Sequence, residues 1–166
     1  QRLNVEGVDA FAGISSSAGD LTDRGYDSST GVGATVGWQG QVLPDVKMGA
    51  AYRTRTYMSK FDKYKGLLAE QGDLDVPAQV TVGVSIQATP KTTVAADVQH
   101  IYYSDVKSIG NKNNTAAGVQ LGTDNGAGYG WDDQTTLKVG VKHQLKQNVA
   151  LMAGYNHGNS PISESE

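Results

Sequence analysis

The residues with most chemistry to offer are Arg53, Arg55, Tyr57, Lys138 and Lys142. In "AYRTRTYM" the spacing Arg53-x-Arg55-x-Tyr57 has period 2, so an extended chain points all three to one side. Lys138 and Lys142 stand at even spacing in "TLKVGVKHQL" and share a side in the same way. Cations on a wall can hold a ligand carboxylate through charge-assisted hydrogen bonds. The competing use is structural, an ion pair to another wall residue such as Asp97. Catalytic and metal chemistry have weaker claims. His100, His143 and His157 lie on separate segments without ligand spacing. The acidic pairs Asp73/Asp75 and Asp132/Asp133 read as solvated loop charge, since neither fits an EF-hand loop. "GVGATVG" and "GAGYG" lack the order of a phosphate-binding loop, and no serine sits in a nucleophile elbow. The sequence therefore predicts no enzyme, no metal and no cofactor.

The elements that carry these residues follow from alternation. In "PAQVTVGVSIQATPKTTVAADVQ", Ala78, Val80, Val82, Val84, Ile86 and Ala88 alternate with polar or small residues. The alternation restarts at Val94 after a Pro-containing turn, which reads as two half-buried strands of a hairpin. The same rule gives seven candidate strands: Glu6–Ser16, Gly31–Val42, Val46–Met58, Ala78–Thr89, Thr93–Asp105, Gln134–Leu145 and Val149–His157. Only residues 60–73 hold room for one or two helical turns, inside a loop. "LPD", "PKT" and "KQN" are short connections, and residues 17–30, 59–77 and 106–133 are long ones. Short and long alternate, which puts all short turns at one end of an all-β, antiparallel up-and-down meander. That is the layout of a transmembrane β-barrel. Strands of ten or more residues also suit a tilted bilayer span better than a soluble sheet, whose strands run to about 5–6.

Composition fits. With 14 Lys and Arg against 17 Asp and Glu, the net charge of −3 gives no reason to expect nucleic acid. There is no Cys. A mean hydropathy of −0.40 is compatible with barrel strands, which show only alternate residues to lipid. Alternation alone does not say whether the apolar face meets a protein core or lipid. Lys47, Arg53, Arg55, Asp97, Lys138 and Lys142 on the opposite face favour a watery lumen there and lipid outside. A soluble or self-associating all-β domain is the alternative. His100 falls on the apolar face, and a bulge near residues 99–101 would turn it inward.

Longer stretches carry a resemblance. "GVGATVGWQGQVLPDVKMGAAYRTRT", "YKGLLAEQGDLDVPAQVTVGVS", "AADVQHIYYSDVKSI", "GYGWDDQTTLKVGVKHQ" and "LMAGYNHGNSPI" occur in an order and spacing that resemble the FadL/TodX family. These are outer-membrane transporters of long-chain fatty acids and hydrocarbons. The resemblance implies a bacterial outer-membrane location and a fourteen-stranded barrel plugged by an N-terminal hatch. It also implies passive uptake of a hydrophobic small molecule, with membrane lipid around the wall. Residues 1–166 are then expected to be a single segment of barrel wall from the middle-to-late part, without the hatch. The edges of such a segment need partners, and self-association is one way to supply them.

Overall fold

The computed structural model describes residues 1–113 and 118–162. Six long strands form one antiparallel sheet in strictly sequential order. They are β1 (Thr35–Leu43), β2 (Val46–Arg53), β3 (Gln79–Thr89), β4 (Thr92–Ile101), β5 (Gln134–Lys146) and β6 (Val149–Gly158). The meander expected from the alternation is present, with β1 and β6 as its two edges.

The hairpins β1–β2, β3–β4 and β5–β6 turn through two residues each: 44–45, 90–91 and 147–148. Pro44 and Pro90 open two of these turns, and proline fixes φ near −65°. None of the six turn residues has positive φ. The mirror-image turns that normally suit a two-residue hairpin are thereby excluded. Each hairpin instead carries a register shift beside its turn, at Gln41/Leu43, Gln87/Thr89 and Val149/Ala150. An extra residue there restores the strand twist that the turn alone would spoil.

Register stacks the apolar residues in rows. One row runs Trp38, Ala50, Val82, Val98 and Leu137, and the next Met48, Val84, Ala96, Val139 and Tyr155. This face is bare: Val82, Val98, Leu137, Val139 and Tyr155 are all exposed. The opposite face carries Thr81, Gly83, Asp97, Gln99 and Lys138, and these are half-buried. A soluble sheet would show the reverse. No helix among the described residues is long and apolar enough to cross a membrane.

The buried core lies off the sheet. Leu21, Phe61, Tyr64, Leu68, Val106 and Leu121 come from the long connections at the other end from the hairpin turns. Residues 1–30 join them. Arg2–Leu3 pairs with Asp27–Ser28, and Gly31–Val32 pairs with Tyr57–Met58. The Tyr64 hydroxyl ties the cap together: it donates toward Asn4 Oδ1 (3.0 Å) or Gly25 O (2.7 Å) and accepts from the Val5 N–H (3.1 Å).

Several sequence expectations need correction. Glu6–Ser16 is not a strand: its centre, Asp9–Ile14, is a 3₁₀ helix, so the sheet has six long strands rather than seven. The strand expected over Val46–Met58 leaves the sheet after Arg53, where Thr56 pairs with Val76 instead. The strand expected to reach Asp105 ends at Ile101, followed by a 3₁₀ turn, Tyr103–Asp105. No bulge occurs at residues 99–101, and His100 stays on the apolar face opposite Val80 and Thr135. The position is tolerable because it lies at the loop end of the sheet. There the ring meets Thr135 Oγ1 (2.8 Å) and Asp133 (3.6 Å).

Candidate functional site

Three concavities carry the chemistry: a trough on the sheet, an apolar cavity in the loop cap and a polar hollow of about 420 Å³ around Arg55, Tyr57, Asp73 and Asp75. The first is an open trough of about 480 Å³ on the half-polar face of β1–β4, lined by Gly37, Gln39, Lys47, Gly49, Thr81 and Gly83, among others. Small residues make it: a Cβ at position 83 would run into the Asp97 carboxylate. Farther along this face Lys138 Nζ donates to Gln99 Oε1 (2.7 Å), and Gln99 Nε2 donates to Gln79 Oε1 (3.1 Å). This polar ladder across three strands needs water or polar chain opposite it, not hydrocarbon.

The second concavity sits in the loop cap. It has a volume of about 360 Å³ and is lined by Phe11, Leu67, Leu68, Leu121, Tyr129 and Trp131, among others. Tyr129 and Tyr103 both pack on Trp131, with ring centroids 6.0 and 5.2 Å away. The Trp131 N–H is held by Ile109 O (3.0 Å). A mostly apolar cavity of this size suits a small hydrophobic ligand. Sequence reasoning missed it, because its walls come from four separate segments outside the sheet that show no periodicity.

Directly after the lining residues Leu67 and Leu68 comes a strained turn, Ala69–Gly72. Glu70 (φ 54°, ψ 35°) and Gln71 (φ 57°, ψ 51°) are left-handed, and Gly72 follows at φ 98°. For a non-glycine residue that conformation costs of the order of 1–2 kcal/mol, so contacts must hold it. Backbone bonds from Glu70 and Gln71 to Thr123 O (3.2 Å) and Gly122 O (2.8 Å) do so on one side. Arg55 does so on the other. Its Nε donates to Asp75 Oδ2 (2.5 Å), its Nη2 to Asp73 Oδ2 (3.1 Å) and its Nη1 to Asp105 O (2.8 Å). Asp75 is buried, and its second oxygen accepts the Met58 N–H. Glu70 pairs with Lys107 (3.1 Å). Burial, and then the neighbouring Asp75 carboxylate, push the Asp73 carboxyl up to about 6. At Asp133 burial works the other way from the hydrogen bonds of Ser104 and the nearby His100, and these outweigh it to hold that carboxyl below its usual range.

The five residues singled out in the sequence do not converge. Arg55 is engaged by the loops, with Tyr57 beside it (5.5 Å from guanidinium to ring). Its carboxylate partners are Asp75, Asp73 and, at 4.0 Å, Glu70, not Asp97. Arg53 lies on the half-polar face beside Thr35 and Gln79 in register. Its side chain makes no hydrogen bond or ion pair among the described residues. Lys138 belongs to the polar ladder, three strands from Arg53. Lys142 lies nearer the hairpin turns, between Thr93 and Met152 in register.

Residues 8–166 match the family described as outer membrane protein transport protein (OMPP1/FadL/TodX). The chain belongs to this family. Its place is therefore the bacterial outer membrane. Among solved structures, the Ralstonia pickettii toluene transporter TbuX is similar at 22% identity, with a TM-score of 0.53 over 78% of this chain and 36% of that one. The Pseudomonas putida toluene transporter TodX is similar at 20% identity and a TM-score of 0.53, over 79% of this chain and 35% of that one. The monoaromatic hydrocarbon channel CymD is similar at 18% identity and a TM-score of 0.54, over 78% of this chain and 38% of that one. These likenesses show the fold, and the chain spans little more than a third of the length of each. A comparison with curated proteins finds no match.

Proposed function

We propose that the chain is a wall segment and loop cap of an outer-membrane channel for passive uptake of hydrophobic small molecules, not an enzyme. The observation that carries this reading is the apolar cavity of the cap, lined by Phe11, Leu68 and Trp131, set at the loop end of a sheet with a bare apolar face. A hydrophobic molecule leaving water would meet this cavity first. The named functions of TbuX, TodX and CymD support the same class of cargo. Residues 1–166 supply one part of the barrel, and strands outside them would pair with the edges β1 and β6. The trough and the polar ladder suit a polar plug or water.

Phe11 is the position to test, because it lines the cavity yet stays 44% exposed, so a charge there need not unfold the cap. In the whole channel in liposomes, Phe11→Glu should weaken toluene entry about tenfold or more, since burying a Phe side chain is worth roughly 1.5–3 kcal/mol. Unchanged entry would remove the cavity from the path.

Arg53 is proposed as the reader of a carboxylate, being the cation of the half-polar face nearest the cap, with Lys138 and Lys142 farther along. A charge-assisted hydrogen bond contributes on the order of 1.5–3 kcal/mol. Arg53→Ala should then weaken a long-chain acid about tenfold or more relative to an alkane of equal length. Paired affinities for acid and alkane check it; equal losses would make Arg53 a wall residue only.

A further inference from the structure

Arg55 stands apart from the cavity and yet fastens two of the loops that wall it. It rises from the chain just beyond β2, where the strand has left the sheet. Its three donor nitrogens reach two different loops: Asp75 and Asp73 in one, and the Asp105 carbonyl in the other. The first loop contains the left-handed turn Ala69–Gly72, and Leu67 and Leu68 just before it line the cavity. The second loop carries Ser108, another lining residue, whose hydroxyl donates to either Ala69 O or Asp73 O. The two walls are thus joined at one guanidinium.

We infer that Arg55 is a positioning residue for the loop cavity, a latch that ties the loop of the turn Ala69–Gly72 to the loop of Ser108 so that the cavity keeps its shape. The inference rests on the uptake reading for its functional consequence, though not for the latch itself. The geometry asks for arginine. A planar fork can serve Asp75, Asp73 and a carbonyl at once, whereas a lysine ammonium is a single point of charge on a flexible stem. Asp75 is the fixed end, since it is buried and its other oxygen is committed to the Met58 N–H. Asp73 is the adjustable end: it keeps an elevated proton affinity and sits closer to solvent.

The test uses the whole channel in liposomes, with Arg55→Gln, Arg55→Lys and Asp75→Asn. Hydrogen exchange should speed up at least tenfold for the amides of 67–76 in Arg55→Gln and Asp75→Asn, with the six strands unchanged. Arg55→Lys should restore part of the protection. Toluene uptake should show a half-saturation concentration raised fivefold or more, with the maximal rate within twofold of wild type. The double variant Arg55→Gln/Asp75→Asn should be no worse than Arg55→Gln alone, because the Asp75 contact is already gone in that variant. Unchanged exchange at 67–76 would overturn the latch. Faster exchange with a lower maximal rate and an unchanged half-saturation would reduce Arg55 to a structural residue and overturn its positioning role. If the wild-type channel shows no saturable toluene uptake, the uptake reading fails, and the exchange data alone decide the latch.

Discussion

Val82→Arg should destabilise the channel by about 2–4 kcal/mol, and Thr81→Arg should leave its stability nearly unchanged. The two positions are adjacent in the chain and opposite in environment. Val82 stands in the middle of β3, between Ala50 and Val98 in register, on the bare apolar face. A guanidinium there would sit among lipid chains, far from either interface. Thr81 stands between Ala51 and Gln99 and lines the trough. There an arginine can reach water and the side chains of the polar ladder. Urea titration of the folded channel in bilayers measures both costs. Equal tolerance at the two positions would mean that the faces have been assigned the wrong way round, or that neither faces lipid.

Tyr64→Ala should loosen the loop cap while the sheet stays folded. Tyr64 is fully buried against Phe61 and Leu68, and its hydroxyl is the meeting point for Asn4, Val5 and Gly25. Removing a buried aromatic side chain costs about 3–5 kcal/mol, part of it for the cavity left behind. The loss should be local, because the sheet draws nothing from this core: its hydrogen bonds run strand to strand. Limited proteolysis should therefore cut within residues 17–30 and 59–77 at least tenfold faster than in wild type, while heat-resistant migration of the folded barrel persists. Tyr64→Phe keeps the packing and loses only the hydroxyl, so it should fall between. If the barrel itself fails to fold in Tyr64→Ala, cap and wall are one cooperative unit.

The sheet was legible in the sequence because its signal is local. Alternation from Val80 to Ile86 and from Leu137 to Val141 names the strands, and the spacing of Pro44, Pro90 and Gln147 names the turns. The cap was not legible. Between residues 6 and 16, Val8, Ala10, Ala12 and Ile14 alternate well enough for a strand, but the segment coils into a 3₁₀ helix with Phe11 at the cavity, and among the described residues only Ser15 bridges a neighbour, Leu121. The left-handed turn at Glu70 and Gln71 shows no glycine or asparagine at those two positions, so it left no mark before Gly72. The partners of Arg55 were misjudged for a related reason. Period 2 places Arg53 and Arg55 on one face only while the strand continues. The chain leaves the sheet after Arg53, and Arg55 turns to Asp75 in the loop instead of Asp97 on the wall. The resemblance carried the family where pattern alone left a soluble alternative, because order and spacing over many segments are harder to match by chance than alternation.

The claim that organises all of this is that the apolar face of the six-stranded sheet meets lipid and the half-polar face meets a watery lumen. The chain has no cysteine, which opens it to single-site labelling throughout. With the rest of the channel also free of cysteine, spin labels placed one at a time over 80–85, 94–99 and 137–142 would be read in bilayers. Each would be tested against oxygen, which concentrates in lipid, and against a nickel chelate, which stays in water. The account predicts strict alternation, with oxygen favoured at Val82, Val84, Val98 and Val139 and nickel favoured at Thr81, Gly83, Asp97 and Lys138. Nickel access that is equal on the two faces, or highest at Val82 and Val139, would contradict it.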